Sequence, residues 1–527
     1  MTAAENDLKT TAGKIADLST RLAETQAPVG KEAVEQTHSA GRLTARERVE
    51  ALVDEGSFVE IDALARHRAT DFDADRNRPP SDGVVTGYGM IQGRKVCVFS
   101  QDDTIFRGQL GEVHGEKIMK VIELATKTGV PLIGFYEGAG ARLVEGIVPL
   151  AMQAKILSAL SRASGLVPHL AVVDGQCCGP QAFMPALADV IVMVGDRSAM
   201  HLTDPDVVRT VSGVDTDPVG LGGTQVHLRE SGTAHLYADT DHDATAVIHD
   251  IISRLPVNNR ALAPRLSGEV PESANPELDA IIPDSSTAPY DMREVLRHVV
   301  DDGDLLELQE DFAPNIITAL ARIDGRSVGV IANQPTEVAG CLHEAAAAKA
   351  ARFIRTCDAF NISIVEFVDI PGFQPAVEEE HGAVLRHGSA LAYAYAEAQV
   401  GKITVIVRRA MGPGYVLMGS KDLGADLVFA WPTAEIAAQE ASGAVRELYQ
   451  QKLEKASTQG KDTAEMMQQY EAEYSERYLN PYVAAERGLV DAVIPPSDTR
   501  KQLIDGLELL DRKVVYPPLK KHGNIPL

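Results

Sequence analysis

Two short Gly-Pro segments follow predicted buried strands and could present backbone donors to a substrate. Cys177–Pro180 ("CCGP") comes after the apolar run "HLAVVD", and Ala410–Gly414 ("AMGPG") comes after "KITVIV". Glycine at such a strand end lets a substrate approach bare backbone N–H groups, which stabilise negative charge on an oxygen atom. Proline has no N–H, so Pro180 and Pro413 each remove one donor from such a loop.

An internal repeat accounts for the presence of two such segments. The stretch "GRKVCVFSQDDT" matches "GRSVGVIANQPT" without a gap, and the same offset pairs "VPLIGFYEGAG" with "ISIVEFVDIPG". After the alignment offset changes by one residue, "HLAVVDGQCCGP" aligns with "KITVIVRRAMGP". The match predicts two copies of one domain, at residues 1–270 and 271–527. Each copy is predicted to alternate apolar strands with long helices, which is typical of α/β domains.

Composition limits the class of protein. The chain has 527 residues, a formal net charge of −25 and five cysteines. The acidic charge argues against nucleic-acid binding, and the cysteine spacing argues against a zinc ribbon or a disulfide framework. We expect no metal site. No apolar run reaches the roughly 18 residues that a membrane span needs, and the first residues do not resemble a signal peptide, so we expect a cytoplasmic protein.

Longer motifs follow one another along nearly the whole chain. They include "TARERVEALVDEGSFVEID", "GEVHGEKIMKVIELATKTGVPLIG", "EGAGARLVEG", "LMGSKDLGADLVFAWPTAEIA" and "NPYVAAERGLVDAVIPPSDTR". Together they resemble the carboxyltransferase (β) subunits of biotin-dependent acyl-CoA carboxylases, of the actinobacterial propionyl-/acetyl-CoA carboxylase type. The resemblance implies an α/β fold of two tandem crotonase-like (ClpP/crotonase) domains.

The resemblance also implies a reaction with two substrates. A partner α subunit, with biotin carboxylase and biotin carrier functions, delivers carboxybiotin, and CO2 passes to the α-carbon of an acyl-CoA. The N-terminal domain is expected to bind acyl-CoA and the C-terminal domain carboxybiotin, in a hexameric ring of β chains. Because the thioester oxygen and the biotin ureido oxygen both gain negative charge, each domain needs its own pair of donors.

The family's functional positions can be carried over residue by residue. The oxyanion-hole positions fall on Gly179, Pro180, Pro413 and Gly414. The substrate-binding positions fall on Gly138, Ala139, Gly140, Tyr415 and Val416.

Five glycines of the family pattern are replaced near the expected cleft. The replacements are Arg107, Pro180, Asp204, Pro413 and Glu440. Substrate lies against backbone in such a site, so bulky or charged side chains at these positions are expected to obstruct it.

Two further residues carry an expectation of their own. Arg142 in "GAGARLVEG" has two possible roles, contact with a phosphate or an ion pair at the start of a helix. Val416 stands where propionyl-type relatives carry aspartate, and an aliphatic side chain there would suit a more apolar acyl end.

Two hypotheses follow from these departures. In the first, the chain is an active carboxyltransferase whose loops are shifted, so that Gln181, Gly412 or Gly414 supplies the missing donor. In the second, it is a non-catalytic structural or specificity subunit in a mixed ring with an active, related β subunit. The prolines at equivalent positions favour the second hypothesis. A hydratase or isomerase of the same superfamily fits less well, because the duplicated arrangement suits a two-substrate transfer.

Overall fold

Each half of the chain is built around one mixed β-sheet. The computed structural model describes residues 8–266, 275–285 and 287–526. The chain divides into two units, Met1–Ala261 (unit 1) and Leu262–Leu527 (unit 2). The expected boundary between residues 270 and 271 lies outside the described residues.

The strands form one sheet in each unit. In unit 1 they are β1 (Val59–Glu60), β2 (Val84–Ile91), β3 (Arg94–Gln101), β4 (Leu132–Gly138), β5 (His169–Cys178), β6 (Val190–Val194), β7 (Ala199–His201) and β8 (Leu236–Ala238). In unit 2 they are β9 (Leu305–Glu307), β10 (Ile316–Ile323), β11 (Arg326–Asn333), β12 (Ser363–Ile370), β13 (Lys402–Met411), β14 (Leu427–Ala430), β15 (Glu435–Ala437) and β16 (Ala492–Val493).

Helices connect and cover these strands. In unit 1 they are α1 (Thr11–Glu24), α2 (Lys31–Ser39), α3 (Ala45–Leu52), α4 (Glu112–Thr128), α5 (Val148–Ala163), α6 (Phe183–Ala186), α7 (Pro205–Ser212), α8 (Pro218–Gly222) and α9 (Asp241–Arg254). In unit 2 they are α10 (Met292–Val299), α11 (Glu344–Ala359), α12 (Val377–His381), α13 (Val384–Glu397), α14 (Gly412–Leu417), α15 (Ala441–Leu448), α16 (Gln450–Thr458), α17 (Thr463–Tyr478), α18 (Pro481–Glu486) and α19 (Thr499–Leu510). No helix in the described part of the chain is both long enough and apolar enough to span a bilayer.

The two sheets have the same topology. The first has the order β1-β2-β3-β4-β5-β6-β8, with β7 paired to β5, and the second has the order β9-β10-β11-β12-β13-β14-β16, with β15 paired to β13. In both, an antiparallel hairpin leads into parallel strands. The Gly-Pro segments therefore follow equivalent strands, β5 and β13. The predicted internal repeat is confirmed.

The central strands and helices form for the reasons that the sequence indicates. Both β5 and β13 are buried over most of their length, as strands covered on both faces are. Helix α4 buries Ile118, Val121 and Ile122 at helical spacing. It ends at Gly129, whose left-handed conformation (φ 68°) closes the helix.

A buried lysine repeats in both units and holds the loop before the first long strand. Lys117 donates from Nζ to the Ser81 carbonyl at 2.8 Å. Lys349, at the equivalent position, donates to the carbonyls of Gln309 and Ile316, each at 2.8 Å. These bonds offset part of the cost of burying the ammonium group. They anchor each long helix to the hairpin beside it.

The core of unit 2 contains a buried carboxyl group, Glu366 on β12. Burial raises the pKa of Glu366 to about 8, and the Tyr395 hydroxyl and the Lys402 ammonium lower it only in part. A folded-state pKa above the ordinary glutamate value of 4.5 means that the folded protein holds this proton where the unfolded chain releases it. The favourable contribution of this proton to the free energy of unfolding is complete below about pH 4.5 and is lost as the pH rises to about 8.

Replacing Glu366 by glutamine tests this linkage, because glutamine keeps the shape and has no proton to lose. Between pH 5 and pH 8, Glu366→Gln should gain stability relative to the wild type, on the order of 1–3 kcal/mol at the upper end. Urea unfolding followed at several pH values measures this difference. The exposed Glu378→Gln is the control and should follow the wild type. If the unfolding free energies of Glu366→Gln and the wild type changed with pH in the same way, the prediction would be wrong.

Candidate active site

In unit 1 a tight turn packs on the end of the central strand β4. The turn, Phe106–Gly108, follows β3. The Ala139 N–H donates to the Arg107 carbonyl at 3.0 Å. A Cβ on Gly108 would overlap the carbonyl oxygen of Glu137, so only glycine allows this approach. The turn thereby fixes the loop that begins at Gly138.

The side chain of Gln181 joins three loops beneath this strand end. It is 1% exposed. Its Nε2 donates to the Gly140 carbonyl at 2.7 Å and to the Gly108 carbonyl at 3.3 Å. Its Oε1 accepts from Gln101 Nε2 at 2.8 Å. The predicted substrate-binding loop and the predicted oxyanion loop are thus held together by one amide.

The Gly179–Pro180 loop begins a 3₁₀ turn. Gly179 has φ 64°, and Cys178 is the N-cap of the turn Gly179–Ala182. In a 3₁₀ turn the N-cap carbonyl accepts from the residue three positions on, so the Gln181 N–H is directed to the Cys178 carbonyl. Pro180 has no N–H. The Gly179 N–H therefore lies before the first hydrogen bond of the turn and takes no part in it.

The equivalent loop in unit 2 begins an α-helix. Gly412 has φ 51°, and Met411 is the N-cap of α14. In an α-helix the first bond runs from the fourth residue after the N-cap, here Tyr415. The N–H groups of Gly412 and Gly414 both precede that bond. This loop therefore keeps two backbone donors, one on each side of Pro413.

The other predicted site residues of unit 2 lie in α14. Gly414 is buried, and a Cβ there would come within 2.8 Å of the Ile370 side chain. Tyr415 is half-buried, and burial raises the pKa of its phenol. Val416 is 48% exposed. The helix thus presents an apolar side chain to solvent one turn from the Gly-Pro start.

A buried carboxylate ends the central strand in unit 1. Glu137 lies beside Arg48, whose Nη1 is 3.0 Å from Glu137 Oε2, and it also contacts Arg42. Burial raises the pKa of Glu137 to about 7, and Arg48 and Arg42 oppose that rise. Asp174 on β5 completes the cluster through Arg48 Nε at 2.8 Å. The segment around α3 is thereby attached to the ends of β4 and β5.

Unit 2 has an acid at the same place but different arginines. Asp369 is fully buried. Its Oδ2 accepts from Arg408 Nε at 2.9 Å, and its Oδ1 accepts from the Arg409 backbone N–H at 3.1 Å. Arg409 also donates from its guanidinium to the Ala339 carbonyl at 3.1 Å. Both arginines lie on β13, next to the Gly412 loop.

Arg142 forms ion pairs. Its Nη1 lies 2.8 Å from Asp82 Oδ1 and 3.0 Å from Glu145 Oε1. Its guanidinium carbon lies 4.4 Å from the centre of the Phe106 ring. The side chain is 3% exposed. The ion-pair role expected for Arg142 is confirmed.

Charged side chains lie around both Gly-Pro loops, and three of them, Arg107, Asp204 and Glu440, stand at the replaced glycine positions. Burial raises the pKa of the Cys178 thiol, while Arg107 lowers it and Asp204 raises it, so both charges lie near this strand end. Burial likewise raises the pKa of Cys341, with Arg409 and Glu440 as its charged neighbours. Each loop has one cation and one anion beside it.

Comparison with known proteins places this arrangement in a family. A family model described as "Carboxyl transferase domain" matches residues 36–525. The chain belongs to the carboxyl transferase domain family. The match covers both units, so the duplicated sheet is a property of the family domain.

Individual relatives agree over the full length. The biotin-dependent acetyl-/propionyl-coenzyme A carboxylase β5 subunit of Mycobacterium tuberculosis is 51% identical, covering 99% of this chain and 96% of the relative. The propionyl-CoA carboxylase β chain of Saccharopolyspora erythraea is 49% identical, covering 99% and 97%. A solved transcarboxylase 12S structure, described as a hexamer with hydrolysed methylmalonyl-coenzyme A bound, superposes with a TM-score of 0.95 at 42% identity, covering 98% and 99%. The tandem crotonase-like fold implied by the sequence is confirmed.

Two features of the site could not be read from the sequence. The side chain of Gln181 points into the interior and bonds Gly108 and Gly140, although nothing in "GPQAF" distinguishes it from an exposed glutamine. Arg48 lies far along the chain from Glu137, so no local pattern pairs them. The glycine-rich loops themselves were found because the repeat aligns them.

Removing the Gln181 amide should loosen the loop it holds. Gln181→Ala leaves the Gln101 amide without this partner inside the protein, so we expect a loss of about 1–3 kcal/mol in unfolding free energy. The amides of Gly138–Gly140 should also exchange faster with deuterium. Gln176→Ala, an exposed glutamine near the same strand end, is the matched control and should change stability by less than about 0.5 kcal/mol. Equal effects of the two changes would show that the Gln181 amide does not hold the loop.

Proposed function

We propose that this chain is the carboxyltransferase (β) subunit of a biotin-dependent acyl-CoA carboxylase. It moves CO2 from carboxybiotin to the α-carbon of an acyl-CoA. The observation that carries the proposal is the pair of equivalent strand-end loops, one in each unit. The full-length relatives named as acetyl-/propionyl-CoA carboxylase β subunits support the same activity.

We assign the acyl-CoA to unit 1 and the carboxybiotin to unit 2. We take the expected domains, 1–270 and 271–527, as the functional counterparts of unit 1 and unit 2. In unit 1, Gly138, Ala139 and Gly140 would lie against the acyl thioester. Gly138 is buried, and a Cβ there would come within 2.6 Å of Gly108 and Gln181, so glycine lets the loop pack from beneath. A Cβ on Gly140 would meet nothing closer than 3.9 Å, so the backbone is accessible there.

The loop in unit 2 fits the ureido group of biotin. Carboxybiotin, attached to a partner subunit with biotin carboxylase and carrier functions, supplies CO2, and its ureido oxygen becomes negative as CO2 leaves. The N–H groups of Gly412 and Gly414 precede the first bond of α14 and are suited to that oxygen. Pro413 fixes the backbone between them without removing either donor. Gly414 cannot be larger because of Ile370.

Assembly with other chains belongs to the same proposal. A hexameric ring of β chains fits the transcarboxylase 12S structure, which is a hexamer. The partner subunit would bring biotin to this ring. Native mass measurement of the complex purified with its partners tests the number and identity of the chains.

A second candidate function is a non-catalytic β subunit in a mixed ring with an active relative. The specific observation that favours it is the loss of one N–H at Pro180, in a turn that has only the Gly179 N–H before its first bond. The two candidates differ in what the homomeric chain does. An active subunit turns over with the biotinylated partner alone, whereas a non-catalytic one needs the related β chain.

The first test is carboxylation by the homomeric chain. With its biotinylated partner, ATP and labelled bicarbonate, it should incorporate label into acetyl- or propionyl-CoA. Gly414→Ala should lower the rate by roughly 10²-fold, because the added methyl group meets Ile370 and displaces one donor. Gly388→Ala, whose added methyl group meets only ordinary contacts of 3.6 Å or more, is the control. Absence of label with every partner would instead support the second candidate.

The resemblance implies a site between unit 1 of one chain and unit 2 of another, so the exposed side chain of Val416 in unit 2 should influence the choice of acyl group. Val416→Asp replaces an apolar contact by a charge, so kcat/KM for longer acyl-CoAs should fall by roughly 10-fold relative to acetyl-CoA. Competition between acyl-CoAs of different length measures the ratio. Val377→Asp, at a valine on α12 that is 62% exposed, should leave the ratio unchanged. A uniform loss for all acyl-CoAs would show that Val416 does not contact the acyl end.

A further inference from the structure

We propose that Arg107 is a catalytic residue of the acyl-CoA half of the reaction. Its guanidinium donates a hydrogen bond to the thioester oxygen as that oxygen becomes negative, in place of the N–H that Pro180 lacks. The inference rests on the proposed function, and it concerns unit 1 alone.

The backbone places Arg107 next to the loops of the acyl site. Its carbonyl accepts the Ala139 N–H at 3.0 Å, in the middle of the predicted acyl-binding loop. On the other side of that loop, the Cα of Gly140 lies 3.9 Å from where a Cβ on Gly179 would be. The turn, the acyl-binding loop and the oxyanion loop are therefore consecutive layers at one strand end.

The side chain of Arg107 is exposed and available to a ligand. It makes no ion pair within 4.0 Å among the described residues, whereas the neighbouring Arg142 is buried between two carboxylates. The half-buried thiol of Cys178 experiences the charge of Arg107, which lowers the pKa of that thiol. The guanidinium thus acts electrostatically on the residue that immediately precedes Gly179.

The fold does not require arginine at this position. Arg107 has φ 56°, a left-handed conformation that is unfavourable for a long side chain. The equivalent turn in unit 2 has Ala339 with φ 55°. Since the same turn forms around alanine, the guanidinium is not needed for folding.

The residue in the turn, arginine in unit 1 and alanine in unit 2, matches the number of backbone donors in the Gly-Pro loop of each unit. The loop of unit 2 has two N–H groups before its first helical bond, and its turn carries alanine. The loop of unit 1 has one, and its turn carries arginine. A charged donor forms a stronger hydrogen bond to a developing anion than a neutral amide does, so one guanidinium suffices to replace the missing N–H.

The test is a double-mutant cycle in the complex of the chain with its biotinylated partner. Arg107→Ala should lower kcat by roughly 10²-fold with little change in KM for acyl-CoA. Pro180→Gly restores an N–H, so in that background the cost of Arg107→Ala should fall below about 10-fold. Millimolar guanidinium ion should restore part of the rate of Arg107→Ala. Arg162→Ala, at an exposed arginine on α5, is the control and should match the wild type.

The outcomes separate this inference from the proposed function. Equal costs of Arg107→Ala in both backgrounds, or a rise in KM alone, would overturn the role of Arg107 while leaving the carboxyltransferase assignment intact. A second measurement does not need turnover: the carbonyl stretch of bound ¹³C-labelled acyl-CoA should lie at lower frequency in the wild type than in Arg107→Ala. Identical frequencies would overturn the inference. Failure of the wild type to bind acyl-CoA would overturn both.

Discussion

In each unit, the arrangement of the site depends on a glycine that packs directly on the last peptides of the central strand. Gly108 lies on the Glu137 carbonyl, and a Cβ on Gly340 would come within 2.6 Å of the Asp369 carbonyl. At each place this contact brings a turn, a strand end and a Gly-Pro loop together. It also buries an acid, whose charge must then be paired inside the protein.

The two units pair that acid in different ways. Unit 1 uses Arg42 and Arg48 from the segment before the sheet, and Gly175 on β5 leaves room for Glu137, because a Cβ there would overlap the carboxylate. In unit 2 the position equivalent to Gly175 is Arg408, which binds Asp369 directly. The residues around α3 therefore neutralise the buried acid of unit 1, and two residues on β13 do so in unit 2.

Much of this architecture could be predicted from the sequence, because the repeat, the apolar strands and the glycine loops are local patterns. The topology follows from them, since two copies of one pattern fold into one topology. The pairing of Glu137 with Arg48 could not be predicted, because it joins residues 89 positions apart with no periodic relation. The inward direction of Gln181 also could not, since it depends on acceptors on two other loops.

The residue after each proline decides how many backbone donors its loop retains. In unit 1 that residue is Gln181, whose side-chain amide points inward and donates to the carbonyls of Gly140 and Gly108. The loop continues as a 3₁₀ turn, which directs the Gln181 backbone N–H to the Cys178 carbonyl. In unit 2 it is Gly414, which has no side chain to anchor and where an added Cβ would meet Ile370, and the loop continues as an α-helix. Equivalent prolines thus have unequal consequences. A proline followed by glycine leaves two backbone N–H groups before the first bond of the helix, whereas a proline followed by glutamine leaves one before the first bond of the turn.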